Sequence, residues 1–199
     1  MKALLAAIAK LITGANARWL GCAPETRQRI YFANHTSNLD TLVIWASLPP
    51  PVRALTRPVA ARDYWMKNRI RRYLAHRVFN AVLIEHKHPT PHDNPLTDML
   101  NAMGERHSLI IFPEGGRQMG EEMASFKGGL FHLAKGRPDV ELVPVLIENL
   151  NRILPKGEFL PVPLLGGVSF GTPMKLGAGE DKSGFLNRAQ AAIEALHNL

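Results

Sequence analysis

Apolar positions along the chain fall into two rhythms, short continuous runs and helical repeats, and these set the expected elements. Arg29–Ala33, Val78–Ile84, Ser108–Phe112, Glu141–Ile147 and Leu165–Phe170 read as strands. Helical spacing lies between them. One helix begins near Asn38 to Asp40, carries Leu42, Val43, Trp45 and Ala46, and is stopped by Pro49-Pro50-Pro51. A second bears Leu96, Met99, Leu100 and Met103 and ends near Gly104, and a third runs from about Lys127 to Lys135. The last is capped by Ser183 and bears Phe185, Leu186, Ile193 and Leu196. With no Ser/Gly-rich linker and no internal repeat, this alternation predicts one α/β domain over residues 1–199, a central mixed, mostly parallel β-sheet flanked by helices.

Leu4, Leu5, Ile8, Leu11 and Ile12 recur at helical spacing, so residues 1–20 are expected to hold an amphipathic helix lying on a membrane or on the core. The rival reading is a signal peptide, with Ala15-Asn16-Ala17 as a small-residue cleavage site, but Lys10 interrupts the apolar stretch early. No run reaches the ~20 residues a spanning helix needs.

A length of 199 residues allows one sizeable core, and a charged fraction of 21% beside 46% hydrophobic residues excludes a disordered chain. One cysteine, Cys22, closes no internal disulfide and fits a reducing compartment. Charge changes the picture more. Eight cations stand between Arg53 and Arg77 against Asp63 alone, which equals the whole net charge of +7. Asp63 is expected to cap a helix there, with Met66, Ile70, Tyr73, Leu74 and Val78 on one face and Lys67, Arg69, Arg71 and Arg72 largely off it. Such a segment suits a phosphorylated substrate, an anionic membrane surface or nucleic acid. No nucleic-acid fold signature accompanies it.

Two patterns carry candidate chemistry. His35 and Asp40 are five residues apart, a spacing that His88 and Asp93 repeat, so the pattern alone says little. On a regular helix the two side chains would point ~140° apart. They can meet where a strand ends at His35 and a helix starts near Asp40; the competing reading is a helix cap beside a structural histidine. The second pattern, Phe112-Pro113-Glu114-Gly115-Gly116-Arg117, also follows a strand, where open α/β sheets place their ligands. Its glycines free the backbone for close approach and Arg117 offers a fork for phosphate or carboxylate, although a Gly-rich turn with a surface Glu–Arg pair has the same composition. His86, His88, His92 and Asp93 suggest a metal site but match no zinc spacing.

In order, Asn34-His35-x4-Asp40, Phe-Pro-Glu-Gly-x-Arg and Val143-Pro144-Val145 resemble the glycerolipid acyltransferase family, of the 1-acylglycerol-3-phosphate acyltransferase type, over roughly Ile30 to Pro173. The resemblance implies transfer of a fatty acyl group from an acyl-CoA or acyl carrier protein thioester to a lysophospholipid hydroxyl, with no further cofactor and no metal. His35 is then the general base and Asp40 the partner of its other ring nitrogen. Main-chain N–H groups near His35 or in the Gly115-Gly116 turn are candidates to hold the oxyanion. Glu114, Gly115, Gly116 and Arg117 match the acceptor-binding motif. Two positions depart from the family pattern. His86, followed by Lys87, stands where an arginine usually helps hold the acceptor phosphate, and Gly116 replaces a threonine. Both put acceptor identity in play, and an amine- or sugar-bearing lipid acceptor is the alternative. A catalytically silent module binding anionic lipid or nucleic acid is another. Arg62, Trp65, Lys67, Arg69, Arg71 and Arg72 are expected to seat the protein on the inner, cytoplasmic face of an anionic membrane.

Overall fold

A computed structural model of the chain describes residues 2–14, 16–37, 39–85, 94–116, 123–149 and 166–198. Its elements, in order, begin with α1 (Lys2–Thr13), β1 (Asn16–Trp19), β2 (Arg29–Ala33), α2 (Asp40–Ser47), α3 (Pro50–Ala54) and β3 (Thr56–Ala61). Next come α4 (Arg62–Trp65), α5 (Arg69–Tyr73), a π-helical segment (Leu74–Phe79), β4 (Val82–Ile84), α6 (Pro95–Met103) and β5 (Ser108–Ile111). The chain continues with α7 (Gly129–Gly136), β6 (Glu141–Glu148), β7 (Gly167–Phe170), α8 (Lys182–Glu194) and a 3-10 turn at Ala195–Asn198.

The strands form one seven-stranded sheet in the order β1-β7-β6-β2-β5-β3-β4. Strands β2 to β6 run the same way, whereas β7 lies antiparallel to β6 and β1 parallel to β7. This is the expected mixed, mostly parallel sheet. Alternation along the central strands divides the core between its two faces. Tyr31, Ala33, Val143, Val145 and Ile147 face a cluster containing Ala6 and Ala9 of α1, Trp45 of α2 and Phe79. Ile30, Phe32, Leu142 and Leu146 face the opposite cluster, built with α6, α7 and α8. All five residues of β2 are buried, as a strand covered on both faces requires. Each fully buried side chain such as Trp45 or Phe170 contributes ~1.5–3 kcal/mol relative to exposure.

Several elements differ from expectation, each for a local reason. The N-terminal helix stops at Thr13, where Gly14 takes a φ of +57°, and residues 16–19 form an edge strand in place of the helix expected to residue 20. Trp19 stacks on Phe170 across that edge at 4.0 Å. Helix α2 does end just before Pro49, with Leu48 extended, but the prolines also begin a new element: Pro50 occupies the first turn of α3, where its missing N–H costs nothing. Strand β3 is hidden by Arg57 and Pro58. It pairs with β5 through residues 56–58 and with β4 through 59–61, so Pro58 falls where one ladder gives way to the other.

The single helix expected after Asp63 is three pieces. Asp63 is not its cap. Asn68 caps α5 by accepting from the Arg71 N–H at 2.8 Å, and the π-helical segment ends at Asn80 in a left-handed conformation. Val78 and Phe79, expected in a strand, are therefore helical, and β4 is only three residues long. At the last helix Asp181, not Ser183, is the cap, accepting from the Gly184 N–H at 2.8 Å. Leu165, the expected start of β7, lies outside the described residues.

Candidate functional site

Because β2 and β5 are parallel neighbours, the segments that follow them emerge side by side at one edge of the sheet. Asn34 leaves β2 first. Its side-chain amide donates to the Ile147 carbonyl at 2.9 Å and its side-chain oxygen accepts from the Ile147 N–H at 2.8 Å, clamping the end of β2 to β6. His35 follows, and the chain turns back so that Asp40, at the start of α2, reaches it. The Asp40 carboxylate oxygen Oδ2 lies 2.8 Å from His35 Nδ1 and accepts from the N–H groups of Thr36 at 2.6 Å and Ser37 at 2.8 Å. A carboxylate only accepts, so Nδ1 carries the proton and Nε2 is left as the basic nitrogen.

Burial separates the partners. Asp40 is fully buried, and its position at the N-terminus of α2 favours its negative charge. The His35 side chain keeps 21% exposure. Its imidazole stacks on Phe112, the last residue before the Pro113 turn, at 4.2 Å and 21°.

Glu114 is buried beneath these turns with both oxygens engaged. Oε1 accepts from the His35 N–H at 2.7 Å, and Oε2 from the Ala124 N–H at 3.1 Å. Burial raises its pKa, while these two donors pull it the other way. Glu114 thus braces the main chain of His35 against the segment after the Gly-rich turn.

Gly115 takes a φ of +70°, which favours glycine, and the end of the Lys127 side chain lies across it, with Nζ 2.5 Å from where a Cβ would sit. At Gly116 a Cβ would meet no atom of the described residues within 4 Å. Arg117, His86 and Lys87 lie outside the described residues, as do His88, His92 and Asp93.

A family model described as Acyltransferase matches residues 21–148, the span that holds His35, Asp40 and Glu114. The chain belongs to the acyltransferase family. Among its relatives is the 1-acyl-sn-glycerol-3-phosphate acyltransferase of Escherichia coli (strain K12), 27% identical over 137 residues, 62% of this chain and 51% of that protein. The enzyme of the same name from Limnanthes douglasii is 26% identical over 153 residues, 72% of this chain and 50% of its own. The chain spans about half the length of the curated relatives it matches. The fold is also that of the 1-acyl-sn-glycerophosphate (LPA) acyltransferase PlsC from Thermotoga maritima, with a TM-score of 0.78 at 18% identity over 99% of this chain and 77% of that one.

In this acyltransferase chain the site also includes residues to which the sequence patterns gave no role of their own. Phe112 supplies the stacking surface for the imidazole, and its place one residue before Pro113-Glu114 is a signal that could have found it. Asn34 is a clamp, and Lys127 brings a cation to the Gly115 turn, which nothing in the sequence announces. The basic segment leaves β3 at the same edge, and its residues divide in two. Arg57 donates to the carbonyls of Asn80 at 2.9 Å and Ala102 at 3.1 Å, and Arg53 to that of Leu48 at 3.0 Å, so both serve the fold. Trp65, expected at the membrane, is half-buried with its ring edge-on to Phe79 at 5.8 Å. Arg71 lies over the Tyr64 ring at 4.2 Å, and Arg62 reaches the Leu83 carbonyl at 3.5 Å. Lys67, Arg69 and Arg72 are exposed.

Proposed function

We propose that the chain moves a fatty acyl group from an acyl-CoA or acyl carrier protein thioester to the free hydroxyl of a lysophospholipid, 1-acylglycerol-3-phosphate giving phosphatidate. The observation that carries this reading is the His35–Asp40 contact, which leaves Nε2 as the basic nitrogen of a partly exposed imidazole at the sheet edge. The relatives are 1-acyl-sn-glycerol-3-phosphate acyltransferases, which supports this acceptor class.

His35 Nε2 takes the proton of the acceptor hydroxyl as its oxygen attacks the thioester carbon. Asp40 stabilises the imidazolium and keeps the ring in one tautomer, held in turn by the Thr36 and Ser37 N–H groups. When the tetrahedral intermediate collapses, the carbon–sulfur bond breaks and the proton passes from Nε2 to the departing thiolate. The oxyanion needs a donor already in place. The N–H groups of His35, Thr36, Ser37 and Gly115 are given to Glu114, Asp40 and the Phe112 carbonyl, whereas that of Gly116 meets no described acceptor, and we assign it this role. Arg117, with Lys127 across the turn, holds the acceptor phosphate. The protein works as a peripheral one on the inner, cytoplasmic face of the membrane; no described helix is long and apolar enough to cross it.

Mass spectrometry of products from mixed lysolipids with mixed acyl-CoA and acyl carrier protein donors tests this. Phosphatidate is the expected main product, absent with His35→Ala. Failure with every acceptor and donor overturns the reading, and acylation of an amine- or sugar-bearing lipid in preference to the lysophosphatidate replaces the acceptor.

A further inference from the structure

Of the apolar residues expected on one helical face, Met66, Ile70 and Tyr73 are exposed. Ile70 is 73% exposed, Tyr73 44% and Met66 39%, and only the later positions Leu74 and Val78 turn inward. Several large apolar side chains exposed among charges are informative where a solitary one is not. Beside them Arg69, Arg72, Tyr73, His76 and Arg77 line an open cavity of about 430 Å³. Among the described residues Arg69, Arg72 and Arg77 pair with no carboxylate. The concave basic surface and the exposed apolar side chains thus share one short stretch of chain.

Topology sets this stretch beside the site. Strand β3 is parallel to β5, and β5 to β2, so α4 starts at the edge that also delivers Glu114 and His35. Trp65 and Phe79 then fasten the segment to the core cluster shared with α1. On that same side of the sheet, Leu4 and Ile8 of α1 are 64% and 41% exposed.

We propose that the α5 cavity is a seat for the phosphate headgroups of anionic phospholipids in a bilayer, with Ile70, Met66 and Tyr73 entering the interface and the catalytic edge turned toward the lipid. Cations bind the headgroups while neighbouring apolar side chains add their own transfer energy, a combination suited to a membrane interface. It assigns a place and an orientation to the membrane contact of the proposed function and rests on that reading only for the substrate's location. An acidic protein partner would need the same charges but gives no reason for an isoleucine three-quarters exposed among them.

The test is co-sedimentation of the full chain with vesicles of phosphatidylcholine alone or mixed with phosphatidylglycerol, across a salt series. Binding is expected only to the mixed vesicles and to weaken as salt rises. The Arg69→Ala/Arg72→Ala pair should bind about 30-fold more weakly. Ile70→Asp should bind more weakly even at low salt, Ile70→Ser keeps the test open should the aspartate variant fold poorly, and Lys135→Ala, on the opposite face, should bind as the parent does. Thermal melting checks that each variant is folded. Equal binding to both vesicle types, or unchanged binding by the arginine and isoleucine variants, overturns the proposal. So does retention by acyl carrier protein without retention by anionic vesicles, which gives the cavity to an acidic protein. The assay reads no turnover: a chain that binds these vesicles but acylates nothing keeps this inference and removes the acyl-transfer reading, and the converse result does the reverse.

Discussion

The exits of β2 and β5 and the segment after β3 leave the sheet at one edge and treat charge in opposite ways. At the first, the carboxylates of Asp40 and Glu114 are buried and held by main-chain N–H groups, five protein donors converging on three oxygens once His35 is included. At the second, Lys67, Arg69, Arg72 and Arg77 stand in solvent. A buried charge without partners costs several kcal/mol, so the first arrangement tolerates little change of any member. An exposed cation costs nothing to keep and contributes little to the fold. One region invests its charges in geometry; the other leaves them available.

Substitutions can break this contrast. The largest effect is expected for His35→Ala, a loss of ~10³-fold in turnover with the fold retained, checked by acyl transfer beside thermal melting. Retained turnover would mean that Nε2 is not the base. Glu114→Gln has one carbonyl oxygen for two N–H donors and should lower kcat ~10–100-fold by loosening His35, while the acceptor KM stays close to the parent's. A raised KM with unchanged kcat would mean that Glu114 acts on the acceptor and not through His35. Asn34→Ala removes two buried bonds to Ile147 and should cost ~2 kcal/mol in urea unfolding. The smallest effect belongs to the other region: Lys67→Ala should leave stability within ~0.5 kcal/mol, and a larger loss would show that the basic segment is structural after all.

How legible this molecule was depended on which partners a residue uses. Strands β2, β5 and β6 are apolar runs because both faces are covered, and such runs declare themselves. Strands β1 and β3 contain Asn16, Arg18, Arg57 and Pro58, whose side chains point to edges, carbonyls and ladder ends that only the assembled sheet supplies. In the basic segment the helical period continued through the sequence, but the Asn68 cap and the π-helical turn rotated its first half away from the core. At the site, the proximity of His35 and Asp40 follows from a short turn between two recognisable elements. The bracing by Glu114 does not, since its partners are main-chain N–H groups, which every residue but proline owns.

The clamp between Asn34 and Ile147 also bears on how the chain is made. Strand β2 lies between β5 and β6, and β6 is synthesised more than a hundred residues after it. Until β6 emerges, β2 has one unpaired edge and, after Arg29, a run of large apolar and aromatic residues, the kind of surface that recruits stray strands. The histidine turn is therefore finished late, when the nascent chain closes its own open edge, and premature termination before Ile147 should give aggregates and not a partly active enzyme.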